Sequence, residues 1–206
     1  MKKLFRFLSA ITVAAVTLTG CGDNAAEKTN ESAGNETINS IMTRSSIRTY
    51  TDRQVSADTV EILLRAAMAA PTAVNCQPWK FIVIRNKELL ATIADSIPNA
   101  GDKLLKSSVT ILVCGDRQKF LEREPDYWIQ DCSAATENLL LAAHSLGLGA
   151  VWCGVYPVKD RVAAVSKTLG LDEKGLIPLN LIPVGYPDCE PTIKDKWKPD
   201  NIIYVD

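Results

Sequence analysis

Gly147-Leu148-Gly149-Ala150-Val151-Trp152-Cys153-Gly154-Val155-Tyr156-Pro157 is the stretch on which the reading of the fold turns. A Gly-x-Gly pair before an apolar run invites a dinucleotide-binding interpretation. In that fold the glycines follow a strand and open a helix, and a third glycine comes at a fixed spacing. Here the order is reversed. Upstream, Trp128, Cys132, Ala135, Leu139, Ala142 and Leu146 recur every three or four positions, which predicts a helix over residues 127–147. The glycines therefore end a helix and open a strand. No third glycine stands at the required spacing, so the nucleotide-binding fold is excluded. Leu140, Leu141 and Ala143 carry the apolar surface around most of this helix, which places it centrally or in an interface.

Outward from this stretch, residues 150–153 read as a strand ending at Gly154, whose N–H is then open to a ligand. Downstream, residues 158–169 predict a helix and residues 177–184 a strand. Ile202, Ile203, Tyr204 and Val205 form a candidate edge strand. Upstream, residues 81–84 and 109–114 are apolar runs of strand length, and residues 89–97 predict a helix. Ser56 is a suitable N-cap for a helix whose stripe is Val60, Leu63, Leu64, Ala67 and Met68, stopping before Pro71. Ile38, Ile41 and Met42 predict a short helix before them. Strands and helices alternate, so both layers share one sheet.

The N-terminus reads differently. Lys2, Lys3 and Arg6 precede an apolar run of about a dozen residues, too short to span a bilayer as a helix. Leu18-Thr19-Gly20-Cys21 is similar to a bacterial lipobox. That likeness predicts a signal peptide over residues 1–20, cleavage before Cys21 and lipid on Cys21. The chain would then be a membrane-anchored lipoprotein outside the cytoplasm, in the bacterial cell envelope. Residues 21–36 hold no large apolar side chain and read as a flexible tether of about 20 Å reach. Residues 37–206 suffice for one domain. Loss of residues 1–20 takes three of the 23 Lys and Arg, leaving 20 against 24 Asp and Glu, a formal charge of −4. So mild an acidic balance argues against a nucleic-acid partner. Cys76, Cys114, Cys132, Cys153 and Cys189 show no CxxC spacing, and His144 is the lone His, which argues against a metal site.

Three further segments carry chemistry. Arg44-Ser45-Ser46-Ile47-Arg48 groups two guanidinium forks and two hydroxyls, a set that can grip phosphate oxygens. Arg at a helix end equally offsets the macrodipole, and this segment alone leaves both readings open. Pro71-Thr72-Ala73-Val74-Asn75-Cys76-Gln77-Pro78-Trp79 is stiffened by two prolines. Its amides offer donors and acceptors that suit the edge of a heteroaromatic ring; the alternative is a rigid connector. Lys194-Asp195-Lys196-Trp197-Lys198-Pro199 supplies cations, or is a solvated tail. No Gly-x-Ser-x-Gly accompanies His144, which argues against a hydrolase.

Taken together these segments, with Gly149-x-x-Trp152-x-Gly154-x-x-Pro157 and Val184-Gly185-Tyr186-Pro187, resemble the nitroreductase family of FMN-dependent oxidoreductases. The resemblance runs over residues 37–206. It implies an α+β fold: a central mixed, largely antiparallel sheet flanked by helices, in an intertwined homodimer. Arg44, Ser45, Ser46 and Arg48 would hold the FMN phosphate and ribityl chain, with Lys196 as a further phosphate contact. Pro71, Thr72, Ala73 and Asn75 would come from the other subunit. Trp152, Cys153 and Gly154 would line the isoalloxazine, with the N–H groups of Cys153 and Gly154 stabilising charge on it. Asn99 is a loose candidate for a further polar contact. Cys153 departs from the acidic or apolar residue expected there.

The implied activity is ping-pong transfer of hydride from NAD(P)H, or another donor, through flavin N5 to a nitroaromatic, quinone or similar small acceptor. No protein nucleophile takes part. Two alternatives stand beside it. One is an FMN-binding or electron-relay lipoprotein without turnover. The other is a specialised flavin-destroying or dehalogenating branch, for which residues 116–126, with Phe120 and Tyr127, are the lid candidate.

Overall fold

The computed structural model describes residues 35–98 and 100–205. The expected signal peptide, Cys21 and most of the tether lie outside them, as does Asn99. Helix α1 (Glu36–Thr43) starts where the Asn35 side chain accepts the N–H groups of Thr37 and Ile38. Helix α2 (Ala57–Met68) starts at Ser56, whose hydroxyl accepts the Thr59 N–H at 3.1 Å. Strand β1 (Trp79–Ile84) follows. Helix α3 (Lys87–Ala94) is capped by Asn86, and the short α4 (Gly101–Lys106) was not signalled by any apolar stripe. Then come β2 (Val109–Asp116) and the long α5 (Tyr127–Ser145), after which Gly147 turns the chain at φ +70. The remaining elements are β3 (Gly149–Ala150), β4 (Cys153–Gly154), α6 (Lys159–Leu169) and β5 (Leu176–Gly185).

The strands form one sheet in the order β1-β2-β5-β3, with β4 also on β5. Every pairing among them is antiparallel, which is the α+β sheet expected. Strand β2 is buried along its whole length. Its Val109, Ile111 and Val113 face a core shared with Leu63 of α2 and Leu139 of α5. The alternate Leu112 and Cys114 face a second core with Leu90, Leu104 and Val165 from α3, α4 and α6. This is period-2 burial with helices on both faces.

Three expectations are corrected. The strand expected over residues 150–153 is broken: β3 and β4 keep one register on β5 (Ala150↔Val184, Cys153↔Leu181), but the chain leaves the ladder between them. Trp152 sits at the break and is 38% exposed. No strand forms over residues 202–205; Ile203, Tyr204 and Val205 are 82–91% exposed. Their apolar run meets no sheet edge among the described residues. The lid candidate is not free, because Phe120 stacks on Trp128 with ring centroids 5.4 Å apart.

One contact places the site. Residues 44–51 lie as a strap across the ends of β3 and β5. The Ile47 N–H donates to the Ala150 carbonyl at 3.1 Å and the Thr51 N–H to the Tyr186 carbonyl at 2.9 Å. The Tyr50 hydroxyl hydrogen-bonds the carbonyls of Ile47 and Pro183 at 2.8 and 3.1 Å. Glycines make this approach possible: a Cβ on Gly149 would stand 2.5 Å from Ile47 Cγ2, and one on Gly185 2.9 Å from the Tyr50 ring.

Candidate functional site

The strap forms one wall of a cavity of about 1030 Å³. Arg44, Ser45, Ser46 and Arg48 line one side, and Lys194 and Lys196 line the other. The Asp195 carboxylate accepts the Trp197 N–H at 2.9 Å and so shapes the Lys194–Lys196 turn. Arg44 serves twice. It is the C-cap residue of α1, its N–H donating to the Ser40 carbonyl at 3.0 Å, and its Nε lies 3.2 Å from Glu137 Oε1. Arg48 donates from Nη1 to the Ser46 carbonyl at 3.1 Å. The Ser45 hydroxyl oxygen is buried and has no hydrogen-bond partner. Leaving such a group unpaired costs about 1–3 kcal/mol, so it marks a place where a ligand acceptor is missing from the bonding scheme.

A second cavity, of about 180 Å³, is lined by Trp152, Cys153 and Gly154 with Lys103 and Arg161. Arg48 lines it too, and so joins the two cavities. The ladder fixes the backbone here. Val155 donates its N–H to the Leu179 carbonyl, which makes residues 155 and 179 a hydrogen-bonded pair. Antiparallel pairs alternate, so Cys153 turns its N–H toward Leu181 while Gly154, opposite Asn180, turns both backbone groups outward. Of the two N–H groups expected at the ring, only that of Gly154 faces out. The Gly154 carbonyl accepts Arg161 Nη1 at 3.0 Å.

The Cys153 side chain is 8% exposed. Burial pushes its thiol up, against a smaller opposite pull from Lys103 and Arg48. It stays protonated at neutral pH and is no nucleophile. Burial, and then Arg44, hold the pKa of His144 below its ordinary value; its Nε2 lies 2.8 Å from Thr43 Oγ1.

The segment Pro71, Thr72, Ala73 and Asn75 lines neither cavity. It is built with strain: Val74, Asn75 and Gln77 have φ of 41, 60 and 49. For a β-branched residue such as Val74 this is a true outlier. The loop is fastened underneath, where the Ala73 N–H donates to Asp131 Oδ1 at 2.9 Å. Within one chain, then, the strap, the Lys196 turn and residues 152–154 come together, and residues 71–75 stand apart with Val74 78% exposed. Lys103 and Arg161 had no signal in the sequence, since neither belongs to a motif. Asn99 is outside the described residues, although its neighbours Pro98 and Ala100 line the smaller cavity.

Residues 41–186 match the nitroreductase family. The chain belongs to that family. A relative from Methanothermobacter thermautotrophicus, named for NADH dehydrogenase/NAD(P)H nitroreductase activity, is 46% identical over 81% of this chain and 85% of its own. A crystal structure from Parabacteroides distasonis under the same name is 44% identical, with a TM-score of 0.77, covering 82% of this chain and 98% of that one. A Desulfovibrio desulfuricans structure, described as a nitroreductase in complex with FMN, is 32% identical with a TM-score of 0.73, covering 84% and 98%.

These findings overturn the expected location. Relatives this similar in the nitroreductase domain are named for enzymes that use a nicotinamide donor, and such donors are scarce outside the cytoplasm. An envelope lipoprotein would be parted from that donor. No described helix is long and apolar enough to cross a membrane. The membrane-anchored assignment is withdrawn.

Proposed function

We propose that Arg44, Ser45, Ser46, Arg48 and Lys196 hold the 5′-phosphate and ribityl chain of FMN, and that Trp152, Cys153 and Gly154 line its ring. The chain is an FMN-dependent NAD(P)H oxidoreductase of the nitroreductase family. The observation that carries the site assignment is the buried, unpartnered Ser45 hydroxyl in a cavity ringed by Arg48, Lys194 and Lys196. A phosphate supplies the acceptor that Ser45 lacks and a partner for Arg48, Lys194 and Lys196; Glu137, Glu190 and Asp195 line the cavity as well, Glu137 being paired with Arg44. Residues 37–206 are the domain that carries the function.

When bound, FMN supplies two-electron chemistry, accepting hydride from NAD(P)H and reducing a small acceptor. The rest is done by the chain. Arg48 spans both cavities and holds the cofactor where phosphate and ring meet the protein. Gly154 presents an outward N–H to the ring, in a pocket whose lining includes no carboxylate. Cys153 contributes a neutral thiol that neither attacks nor takes a proton. Pro71, Thr72, Ala73 and Asn75 reach the cofactor of a second copy, so the working form is a homodimer; the outward, strained loop supports this. Donor and acceptor then use one pocket in turn, which is ping-pong kinetics, with a nitroaromatic or quinone as acceptor.

The test uses the full chain loaded with FMN. Anaerobic NADH or NADPH bleaches the flavin absorbance band, and a nitroaromatic or quinone restores it. Arg48→Ala with Lys196→Ala weakens FMN binding by at least tenfold while the melting temperature without FMN moves by less than about 3 °C, a shift of the order expected for exposed charges. Unchanged FMN affinity in that variant sinks the phosphate assignment.

A further inference from the structure

The smaller cavity holds a cation that no acid answers. Arg161 lies in the first turn of α6 and makes no ion pair among the described residues. Helix physics disfavours it there, because the N-terminal turn already carries partial positive charge. A residue kept against its local preference is expected to serve something outside its own helix. What Arg161 touches is the Gly154 carbonyl, by a charge-assisted hydrogen bond of 3.0 Å. That carbonyl and the Gly154 N–H both point away from β5. They belong to neighbouring peptide units joined at the Gly154 Cα, so holding the carbonyl limits the torsional freedom of the glycine that carries the N–H. Arg48 and Lys103 line the same cavity, and Asp and Glu are missing from its lining.

Resting on the FMN assignment above, we propose that Arg161 is a positioning residue that raises the reduction potential of the bound cofactor. It does so in two ways. It holds the Gly154–Val155 peptide and so restrains Gly154, whose own N–H meets the ring, and it places positive charge beside that ring. Hydride from NAD(P)H carries two electrons and releases NAD(P)⁺, so the ring side of the site becomes one negative charge richer. Positive charge held in a half-buried pocket favours that state over the oxidised one.

The test compares wild type, Arg161→Met, Arg161→Gln and Arg161→Lys as full chains loaded with FMN. Two quantities are read: the dissociation constant of oxidised FMN, and the two-electron midpoint potential by equilibration with a reference dye. Arg161→Met is expected to keep oxidised FMN within threefold of wild type. Its reduced-to-oxidised equilibrium falls at least tenfold, a drop of about 30 mV for a two-electron couple. Arg161→Gln keeps a donor for Gly154 without the charge, falls in the same direction, and carries the test should the Met variant not fold. Arg161→Lys restores most of the potential. A potential within 10 mV of wild type in the uncharged variants overturns the proposal, as does a Lys variant that falls as far as Met. A wild-type chain that refuses FMN overturns the FMN assignment and this proposal together, whereas FMN binding with unmoved potentials overturns only this one.

Discussion

Replacing Ser45 by Ala separates two roles that most binding residues confound. In the protein without cofactor, the Ser45 hydroxyl is buried and unpaired. Its removal relieves a desolvation cost of about 1–3 kcal/mol; Ser45 as a whole is only half-buried, so the lower end, about 1 kcal/mol, is expected. With FMN bound, the same hydroxyl donates to a charged phosphate, a bond worth about 1.5–3 kcal/mol. Its loss weakens FMN roughly 10- to 150-fold. The two effects have opposite sign. At an FMN concentration of 100 times the wild-type dissociation constant, the ligand stabilises wild type by about 2.7 kcal/mol. For a variant with tenfold weaker binding the same concentration gives only about 1.4 kcal/mol. Ser45→Ala is therefore more stable than wild type by about 1 kcal/mol without FMN and slightly less stable with it. Urea unfolding followed by tryptophan fluorescence, with and without FMN, reads both numbers. A variant that loses stability without FMN, or binds FMN as wild type does, refutes the argument.

Gly149→Ala drives a Cβ to 2.5 Å from Ile47 Cγ2, and the overpacking costs about 1–3 kcal/mol. Because Ile47 ties down the strap, FMN affinity is expected to fall as well, which a fluorescence titration measures. The buried thiol of Cys114 predicts an alkaline loss of stability. Burial pushes it from 9.0 up to about 12. Below pH 9 folded and unfolded chains are both protonated there and its contribution is whole. Above pH 9 the unfolded chain releases the proton first, and stability falls until about pH 12. The slope approaches about 1.4 kcal/mol per pH unit for this one thiol. Burial shifts Cys132 and Tyr50 the same way, so they add to the fall. Urea midpoints from pH 8 to 11 check this, and Cys114→Ala flattens the curve.

The elements with strong local signals were legible in the sequence. Ser56 and the Val60–Leu63–Ala67 stripe, the apolar run of β2, and the long α5 with its closing glycine follow from spacing and capping alone. What escaped was tertiary. The break between β3 and β4 arises where Trp152 leaves the ladder, which no periodicity records. The tail Ile202-Ile203-Tyr204-Val205 is an apolar run of strand-forming residues, but composition does not supply an edge to pair with. At the site, the Arg44–Arg48 cluster stood out because its residues are adjacent in sequence. Lys103 and Arg161 converge from different helices, so only the fold brings them to Gly154. The two readings of Arg44, cap and clamp, do not compete for the same atoms: its backbone closes α1, while its side chain pairs with Glu137 and the residue lines the cavity.

The bond from Ile47 N–H to the Ala150 carbonyl also makes the backbone a ruler. It pins the strap to β3, and β4, which presents Gly154, follows in the same register on β5. The span between the two ends of the binding site is thus set by main-chain geometry, which side-chain substitutions in the cavities leave alone. On the FMN assignment proposed above, such a ruler would select a flavin by length as much as by charge: riboflavin, lacking the phosphate, would reach one end only, and FAD would overrun the other.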